Sequence, residues 1–298
     1  MDDRTRDWLL DADPSIRWQV MRDLGLAPAS TWAAERARVA REGWGARLLD
    51  LHGVDGNWGS GVYSPKWTST TYTLLLLHHL GVDPRDKRMK TATALVDEKV
   101  TMSGPFFDYS TETCVTGMVL ALGSYFLDDA SALPQPEKLF QRQREDGGWN
   151  CRVSSERSSF HTTISVLEGL LEYERAVGGD PAVKAAREHA HEYLLQRRLM
   201  YSLRSGELVN SRWLLMSFPP RWHYDVLRGL DYLRDAGSQP DPRWDEAIEM
   251  VRSKQRTDGT WPLQGRHAGE VHFEMESPGK PSRWNTLRAL RVLAWYDS

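Results

Sequence analysis

A short segment in which Asp-Gly is followed by a tryptophan two residues later recurs three times in this sequence. The copies are Asp55-Gly56-Asn57-Trp58, Asp146-Gly147-Gly148-Trp149 and Asp258-Gly259-Thr260-Trp261. Asp-Gly is typical of tight turns, because the aspartate side chain bonds its own backbone and glycine accepts a positive φ. The intervals leave room for two repeat units each, with degenerate copies expected at 103–108 and 205–208. Self-similarity at such a period predicts an architecture of packed repeat units.

The segments between these turns alternate between two helical patterns. Charged residues at helical spacing predict outward-facing helices over 32–51, 85–102, 133–144, 181–200 and 242–254. More continuously apolar stretches predict inner helices over 15–24, 70–80, 111–126, 160–173, 222–233 and 282–295. The alternation predicts an all-α fold: a single-domain α/α toroid over 1–298, a barrel of helical hairpins with about six inner helices. An open solenoid of helix pairs has the same local pattern and is the alternative.

Composition excludes several classes of function. The formal net charge is −3 and no long basic run is present, which argues against a nucleic-acid partner. No apolar stretch is long enough to span a bilayer, and the charged beginning of the chain does not resemble a secretory signal. Two cysteines do not make a disulfide framework, so a cytoplasmic protein is expected. A small-molecule substrate is the expected partner, and the sequence does not determine the oligomeric state.

Two of the repeated segments carry a family resemblance. Gln143 and Gln255 each stand three residues before the aspartate of a copy, whereas His52 has this place in the first copy. The segments 143–149 and 255–261 resemble the QW-type repeats of the squalene cyclase and protein prenyltransferase superfamily. The resemblance implies structural repeats that tie hairpins together around a central cavity containing the active site. It does not imply a reaction, and the Asp-x-Asp-Asp and Asp-Asp-x-x-Asp motifs of the standard carbocation cascades are absent.

Tryptophan and basic residues recur where the inner helices are predicted to begin. If those helices are parallel, their amino-terminal ends meet at one mouth of the toroid, and several positive helix dipole ends point at it. An anionic or electron-rich ligand is expected there, with indoles holding a flat or apolar part. Helix capping and packing alone are the alternative role for these side chains. The predicted substrate-binding residues are Trp67, Arg221, Trp222, Arg283 and Trp284, with Lys66 beside them.

Both cysteines fall near the same predicted mouth. Cys114, Cys151 and His161 would meet if adjacent hairpins pack side by side, and two thiolates with an imidazole leave one zinc position open for catalysis. The superfamily resemblance adds that protein prenyltransferases bind zinc through a carboxylate two residues before a cysteine and a later histidine. Glu112, Cys114 and His161 follow that order, with glutamate in place of aspartate. Zinc is therefore the predicted cofactor, and simple packing of the two cysteines is the alternative.

Acid–base chemistry has its own candidates. His223, Tyr224 and Asp225 follow Trp222, where one helical turn would direct an acid or a base toward the cavity, and Glu112 is a further candidate. The first hypothesis is a zinc-assisted enzyme acting on a small polar or amphipathic substrate, with isoprenoid-derived molecules among the candidates. The second is a metal-free acid–base cyclase, lyase or isomerase. The third is a non-catalytic binding module.

Overall fold

The computed structural model describes residues 1–152 and 154–298. In chain order its α-helices are α1 (Asp3–Leu10), α2 (Pro14–Asp23), α3 (Ala29–Arg38), α4 (Gly43–Asp50), α5 (Thr70–Leu80), α6 (Lys87–Lys99), α7 (Thr113–Phe126), α8 (Gln135–Phe140), α9 (Phe160–Ala176), α10 (Pro181–Gln196), α11 (Val226–Asp235), α12 (Asp245–Ser253) and α13 (Arg283–Tyr296). The short strands β1 (Trp261–Pro262) and β2 (Pro281–Ser282) pair antiparallel.

The chain folds as an all-α toroid. Within the described residues, the inner ring consists of six helices: α2, α5, α7, α9, α11 and α13. The ring closes where Nη1 of Arg291 on α13 donates to Asp23 on α2, at 2.9 Å. On the other side of α2, Nε1 of Trp18 donates to the carbonyl oxygen of Leu80 on α5, at 3.1 Å. The last residues of the inner helices thus meet one another, and the inner helices run parallel.

The three Asp-Gly segments make the same contacts in the structure. The indole Nε1 of Trp58, Trp149 and Trp261 donates to a carbonyl oxygen ten residues earlier, at 2.7 to 2.8 Å. The backbone N–H of each tryptophan donates to a threonine hydroxyl in the following inner helix, at 2.9 to 3.1 Å. Each indole is fully buried or nearly so. Every copy therefore fastens the end of an outer helix to the beginning of the next inner helix.

Glycine allows α7 and α9 to approach closely. A Cβ atom at Gly169 would lie 2.2 Å from the carbonyl oxygen of Gly117, and a Cβ atom at Gly117 would lie 2.6 Å from that of Ser165. Real Cβ atoms do not approach backbone oxygen so closely, so a larger residue at either position would push the helices apart. This contact fixes one wall of the central cavity.

Several helix boundaries differ from those predicted. The prediction for 70–80 matches α5, but the stretch 32–51 is split into α3 and α4 at Gly43, whose φ is +64° and where a Cβ would collide with Asp13. The stretch 133–144 contains only the short helix α8. The inner helix expected over 222–233 begins at Val226, because Asp225 caps it by accepting a hydrogen bond from the backbone N–H of Arg228. Trp222, His223 and Tyr224 therefore precede the helix.

The two degenerate copies also reverse the chain. An isolated antiparallel bridge joins Thr101 to Pro105, and another joins Tyr201 to Leu208. Glycines with positive φ, Gly104 and Gly206, lie inside these turns, so the reversal persists although the indole is missing. Among the helices of the described chain, none combines the length and apolar character that crossing a bilayer requires.

Candidate active site

The central cavity lies toward the carboxyl-terminal ends of the inner helices. Its volume is about 320 Å³, at the small end of the roughly 300–1,000 Å³ typical of ligand cavities. Its lining comes mostly from the second half of each inner helix, for example His78 and His79 on α5 and Tyr125 on α7. The side chains of Arg22 and Asp235 at its rim are 40% and 43% exposed. The cavity therefore opens to solvent at this end.

Arginine dominates the charged part of the lining. Seven arginines and four carboxylates line the cavity, and they are Arg22, Arg36, Arg175, Arg228, Arg234, Arg288, Arg291, Glu168, Glu172, Asp231 and Asp235. Two carboxylates that do not line the cavity also approach this belt, Asp23 at Arg291 and Asp225 at Arg288. Even with these two counted, arginines exceed carboxylates by seven to six. The cavity is thus basic in a chain whose net charge is −3.

Asp231 is the centre of the arginine belt. Nη2 of Arg291 lies 2.5 Å from Oδ2 of Asp231, and Arg234 and Arg288 approach the same carboxylate to 3.3 and 3.4 Å. Burial opposes ionisation of Asp231, but Arg291 and its neighbours outweigh burial and hold the pKa of Asp231 below its usual range. Each of these three guanidinium groups also approaches a second carboxylate, which is Asp23 for Arg291, Asp225 for Arg288 and Asp235 for Arg234.

A histidine and a glutamate form a pair in the cavity wall. Nε2 of His78 lies 3.4 Å from Oε2 of Glu172 across the cavity lining, and the His78 ring meets the edge of Tyr125 with ring centroids 4.5 Å apart. Tyr125 donates to the carbonyl oxygen of Val82 and accepts from Nη2 of Arg36 at 2.7 Å. A carboxylate that holds an imidazole in place is a common arrangement for proton transfer.

His79 lies next to His78 and also faces the cavity. Its Nδ1 is buried and has no hydrogen-bond partner within the described chain. Burial, together with the neighbouring cationic groups, lowers the pKa of His79 well below the ordinary histidine value. The ring is therefore neutral at physiological pH.

Aromatic side chains form the floor of the cavity. Phe218 and Trp284 stack with ring centroids 4.2 Å apart and an interplanar angle of 13°, and both line the cavity. The indole Nε1 of Trp284 is buried without an acceptor in the described residues. Trp284 is thus the one predicted substrate-binding residue that lines the central cavity.

The predicted mouth, at the amino-terminal ends of the inner helices, is filled by side chains. Trp67 and Arg221 are only 3% and 7% exposed, and Nε1 of Trp67 donates to the carbonyl oxygen of Ala268 at 3.0 Å. Trp222 stacks on His223 with centroids 3.8 Å apart. This end is therefore a packed aromatic layer, and the large cavity lies beyond it.

The three residues predicted to do acid–base work at this end are separated in the structure. His223 is held between Trp222 and His267, and burial lowers the pKa of His223 to about 3. Tyr224 is buried and donates to the carbonyl oxygen of Leu199 at 2.6 Å. Asp225 caps α11, and burial raises its pKa. None of these side chains is among those lining the central cavity.

The structure brings the two cysteines together, with the predicted third ligand turned elsewhere. The backbone N–H of Cys114 donates to Sγ of Cys151 at 3.1 Å, and the hydroxyl of Thr162 donates to the same sulfur at 3.4 Å. Nδ1 of His161 accepts a hydrogen bond from the backbone N–H of Tyr224 at 2.7 Å. In residues 1–152 and 154–298, no three His, Cys, Asp or Glu side chains are grouped closely enough to hold a metal ion. The described residues therefore do not form the ligand set expected for zinc.

Two further predicted residues lie outside the cavity. Glu112 precedes α7 and is exposed. Arg283 donates from Nε to the carbonyl oxygen of Trp8 at 3.0 Å, and its guanidinium lies 4.7 Å from the centroid of the Trp8 ring. Arg283 thus ties α13 to α1, a structural contact.

Sequence reasoning missed the charged residues that line the cavity. Glu168, Glu172 and Arg175 recur at helical spacing on α9, as do Arg228, Asp231 and Asp235 on α11. Charged residues three to four apart on an otherwise apolar inner helix would have revealed a charged stripe facing the ring's interior.

Comparisons with known proteins give a likeness in fold. No protein-family model matches the chain, and no curated protein matches it. A solved structure of a protein from Actinoplanes is 18% identical and matches with a TM-score of 0.47, covering 99% of this chain and 98% of its own. The type II terpene cyclase MstE from Scytonema, without ligand, is 16% identical, with a TM-score of 0.42 and coverage of 95% and 88%. A variant of MstE in complex with its product merosterolic acid A is 18% identical, with a TM-score of 0.42 and coverage of 95% and 86%. Similarity at this level assigns neither a substrate nor a reaction.

Proposed function

We propose that this protein is an acid–base enzyme that acts on a small, anionic and amphipathic molecule in the central cavity. The observation that carries the proposal is the composition of the cavity wall. An arginine-rich belt, the His78–Glu172 pair and an aromatic floor face one space of about 320 Å³. The reaction classes that this set supports are cyclisation, isomerisation and elimination, each of which needs one proton moved at a fixed position.

Substrate binding follows from the distribution of charge in the cavity. The belt holds more guanidinium groups than carboxylates, so a negative group on the ligand gains electrostatic energy that an uncharged ligand does not. Arg36 binds Tyr125 and the carbonyl oxygen of Gly81 through Nη2 and Nε, which leaves Nη1 without a described hydrogen bond. The apolar part of the ligand would lie on Phe218 and Trp284. Both features together favour an amphipathic anion.

Proton transfer is assigned to the two adjacent histidines. Glu172 holds one nitrogen of His78, so the other nitrogen points in a fixed direction and His78 is suited to exchange a proton with the substrate. His79 is neutral and lines the cavity beside His78, so its ring can help to orient the substrate. Burial disfavours a positive charge on the His79 ring. A bound anion would offset this cost and so favour the protonated form of His79.

The repeated segments support placing this activity in the squalene cyclase and protein prenyltransferase superfamily. Trp58, Trp149 and Trp261 make equivalent contacts in all three copies. Isoprenoid-derived molecules are among the substrates that the resemblance of these segments implies, and the basic cavity favours an anion. An isoprenoid carboxylate is therefore the first probe.

The experiment uses geranate, a ten-carbon isoprenoid carboxylate, and geraniol, its uncharged counterpart. Calorimetric titration should show that geranate binds at least tenfold more tightly than geraniol. Arg36→Gln should remove most of this preference, whereas Arg41→Gln, an exposed neighbour of Asp86, should leave it unchanged. Equal affinity for the two probes, or an unchanged preference in Arg36→Gln, would overturn the assignment of an anionic substrate.

Proton transfer is tested separately. Incubation of bound geranate in heavy water should place deuterium in the probe, and His78→Gln should slow this exchange by about 10²–10⁴-fold. His189→Gln, at an exposed position on an outer helix, is the matched control.

Binding without any exchange would favour the non-catalytic binding module instead. Stoichiometric zinc that disappears in Cys114→Ser together with exchange would instead support the zinc-assisted enzyme.

A further inference from the structure

Arg221 is a buried cation without an acceptor. The residue is only 7% exposed, and its Nη1 atom has no hydrogen-bond partner in the described part of the chain. Across the same described residues, no carboxylate lies within ion-pair distance of this guanidinium. An unpaired buried charge costs several kcal/mol relative to a paired one. A group that compensates this charge is therefore expected.

The backbone holds Arg221 in this position. It follows Pro219 and Pro220, and its own φ is +57°, in the left-handed region that residues other than glycine seldom adopt. The guanidinium lies 5.3 Å from the centroid of the Trp67 ring, which gives it a cation–π contact. The chain thus places the cation in a layer of aromatic side chains, where that contact offsets only part of the lost hydration.

A small cavity adjoins the guanidinium. Its volume is about 30 Å³, and its lining includes Arg221, Arg266 and His267. A cavity of roughly 10–15 Å³ holds one water molecule. This space therefore admits a monatomic ion or a carboxylate group, and it is too small for the substrate proposed for the central cavity.

The other charged groups around this cavity already have partners. Arg266 pairs with Glu274. Glu276 accepts hydrogen bonds from the hydroxyl of Ser282 at 2.5 Å and from the backbone N–H of Arg283 at 2.7 Å. Two arginines and two glutamates thus line the cavity, and of these four Arg221 alone has neither an ion pair nor a side-chain hydrogen bond in residues 1–152 and 154–298.

His267 adds a second unused nitrogen at the same place. Its Nε2 is buried with no partner among the described residues, and it lines the small cavity. Burial, and then Arg221, lower the pKa of His267 to about 4. The neutral ring donates a hydrogen bond from Nε2 in the tautomer that carries its proton on that nitrogen. Burial lowers the pKa of Arg221 to about 10, which leaves the guanidinium charged at neutral pH.

From this geometry we propose a second binding site, in which Arg221 and Nε2 of His267 hold a small monovalent anion, either a halide ion or a carboxylate group. Phe218 lines both this small cavity and the central one, so the two sites share a wall. The anion would neutralise Arg221 and stabilise the segments 218–223 and 263–276 that cover the amino-terminal end of the ring. A water molecule would fill the space but would leave the charge uncompensated.

The test compares thermal unfolding in chloride and in gluconate at the same ionic strength, because gluconate is too large for the cavity. Wild-type protein should melt about 2–4 °C higher in chloride, as expected when an ion binds the folded state at roughly tenfold its dissociation constant. Arg221→Met, which keeps the volume and removes the charge, should melt at the same temperature in both salts. In gluconate this variant should be at least as stable as the wild type. Arg204→Gln, an exposed arginine, should respond to chloride as the wild type does.

A second measurement separates the two sources of the anion. If a carboxylate of a cavity ligand reaches Arg221, chloride should weaken geranate binding to the wild type and not to Arg221→Met. If the anion is a free halide, geranate affinity should be independent of chloride while the thermal shift persists. The site is overturned if wild type and Arg221→Met show the same chloride response, whatever the outcome for geranate binding to the central cavity.

Discussion

The two ends of the ring differ in how many charged side chains they contain and in how open they are to solvent. At the carboxyl-terminal end, seven arginines and four carboxylates face an open cavity and largely satisfy one another. At the amino-terminal end, Trp67, Trp222 and the stacked rings of His223 and His267 form a closed layer. Paired charges beside solvent can exchange a partner for a ligand at modest cost, whereas a buried aromatic layer cannot open without losing packing. This difference is the reason for placing the proposed substrate site at the carboxyl-terminal end, with the amino-terminal layer closing the ring below it.

Removing the side chain of Arg228, which joins the two ends of the ring, should have the largest effect on the free energy of unfolding. Arg228 is 4% exposed, binds Glu168 through Nε and Nη2, and donates from Nη1 to the carbonyl oxygen of His223 at 2.7 Å. Arg228→Met should lower the free energy of unfolding by about 3 kcal/mol, because it leaves a carboxylate and a carbonyl without their donor. Urea denaturation measures this loss.

The control for Arg228 is an exposed pair at the cavity rim. Arg175 binds Asp235 at 2.9 Å, and both side chains are more than 40% exposed. Arg175→Met should cost less than about 1 kcal/mol. The double variant Arg228→Met with Glu168→Gln should recover part of the loss. Equal costs for the two single variants would show that burial does not set the contribution of an arginine in this belt to stability.

Two tryptophan substitutions compare a repeat anchor with the cavity floor. Trp149→Phe removes the indole donor to the carbonyl oxygen of Leu139 and leaves that buried oxygen without its bond. It should cost about 2–3 kcal/mol in the free energy of unfolding. Trp284→Phe removes an indole N–H that has no described acceptor, so it should cost about 1 kcal/mol less. Thermal and urea unfolding of both variants test the ranking, and the reverse order would contradict the structural role of the repeat.

The repeat explains why the fold could be predicted. Each Asp-Gly turn depends on local chemistry, and Gly56, Gly147 and Gly259 all have φ between +81° and +85° as that chemistry requires. The inner helices are buried and the outer helices face solvent, so polar and apolar helices alternate along the chain. The spacing of apolar residues in the sequence predicts this alternation. The beginning of α11 was missed because the cap at Asp225 and the preceding prolines override an apolar pattern that starts at Trp222.

Acidity should weaken both ends as pH falls below about 6.5, because burial lowers the pKa of His79 at the carboxyl-terminal end and of His267 at the amino-terminal end. Burial, and then Arg221, lower the pKa of His267 to about 4, against about 6.5 for an unfolded chain. The folded state therefore binds fewer protons than the unfolded state between these values, and stability falls as pH decreases from about 6.5 to 4. The slope from one such group is at most about 1.4 kcal/mol per pH unit. The pKa of Asp231 is held below its usual range, so its stabilisation is lost only as pH falls below about 3.9.

His267→Gln should thus flatten the dependence of unfolding free energy on pH between 6.5 and 4. His189→Gln, at an exposed position, should leave the slope as in the wild type. Parallel curves for all three proteins would mean that the amino-terminal layer does not depend on a neutral His267.

The location of the active site could not be predicted in the same way as the fold. The sequence predicts a site at the first residues of the inner helices, because tryptophans and positive helix dipole ends would meet there if those helices are parallel. It does not reveal that the segments 213–224 and 263–280 fill that end, since this depends on long-range contacts such as Trp67 to Ala268. Likewise, His78 and Glu172 are far apart in the chain and become a pair only because α5 and α9 both pack against α7.

The smallest effect is expected at Glu112, which the sequence indicates as an acid–base or zinc-binding residue. Its side chain is exposed before α7, and the hydrogen bonds that hold it use its backbone atoms, which accept from Thr116 and donate to Tyr109. Glu112→Gln should therefore change the free energy of unfolding by less than about 0.5 kcal/mol and leave geranate binding and deuterium exchange unchanged. Exchange assays on Glu112→Gln beside His78→Gln decide between the two ends as the place of chemistry. A loss of exchange in the former but not the latter would move the active site to the amino-terminal end, beside Cys114 and Cys151.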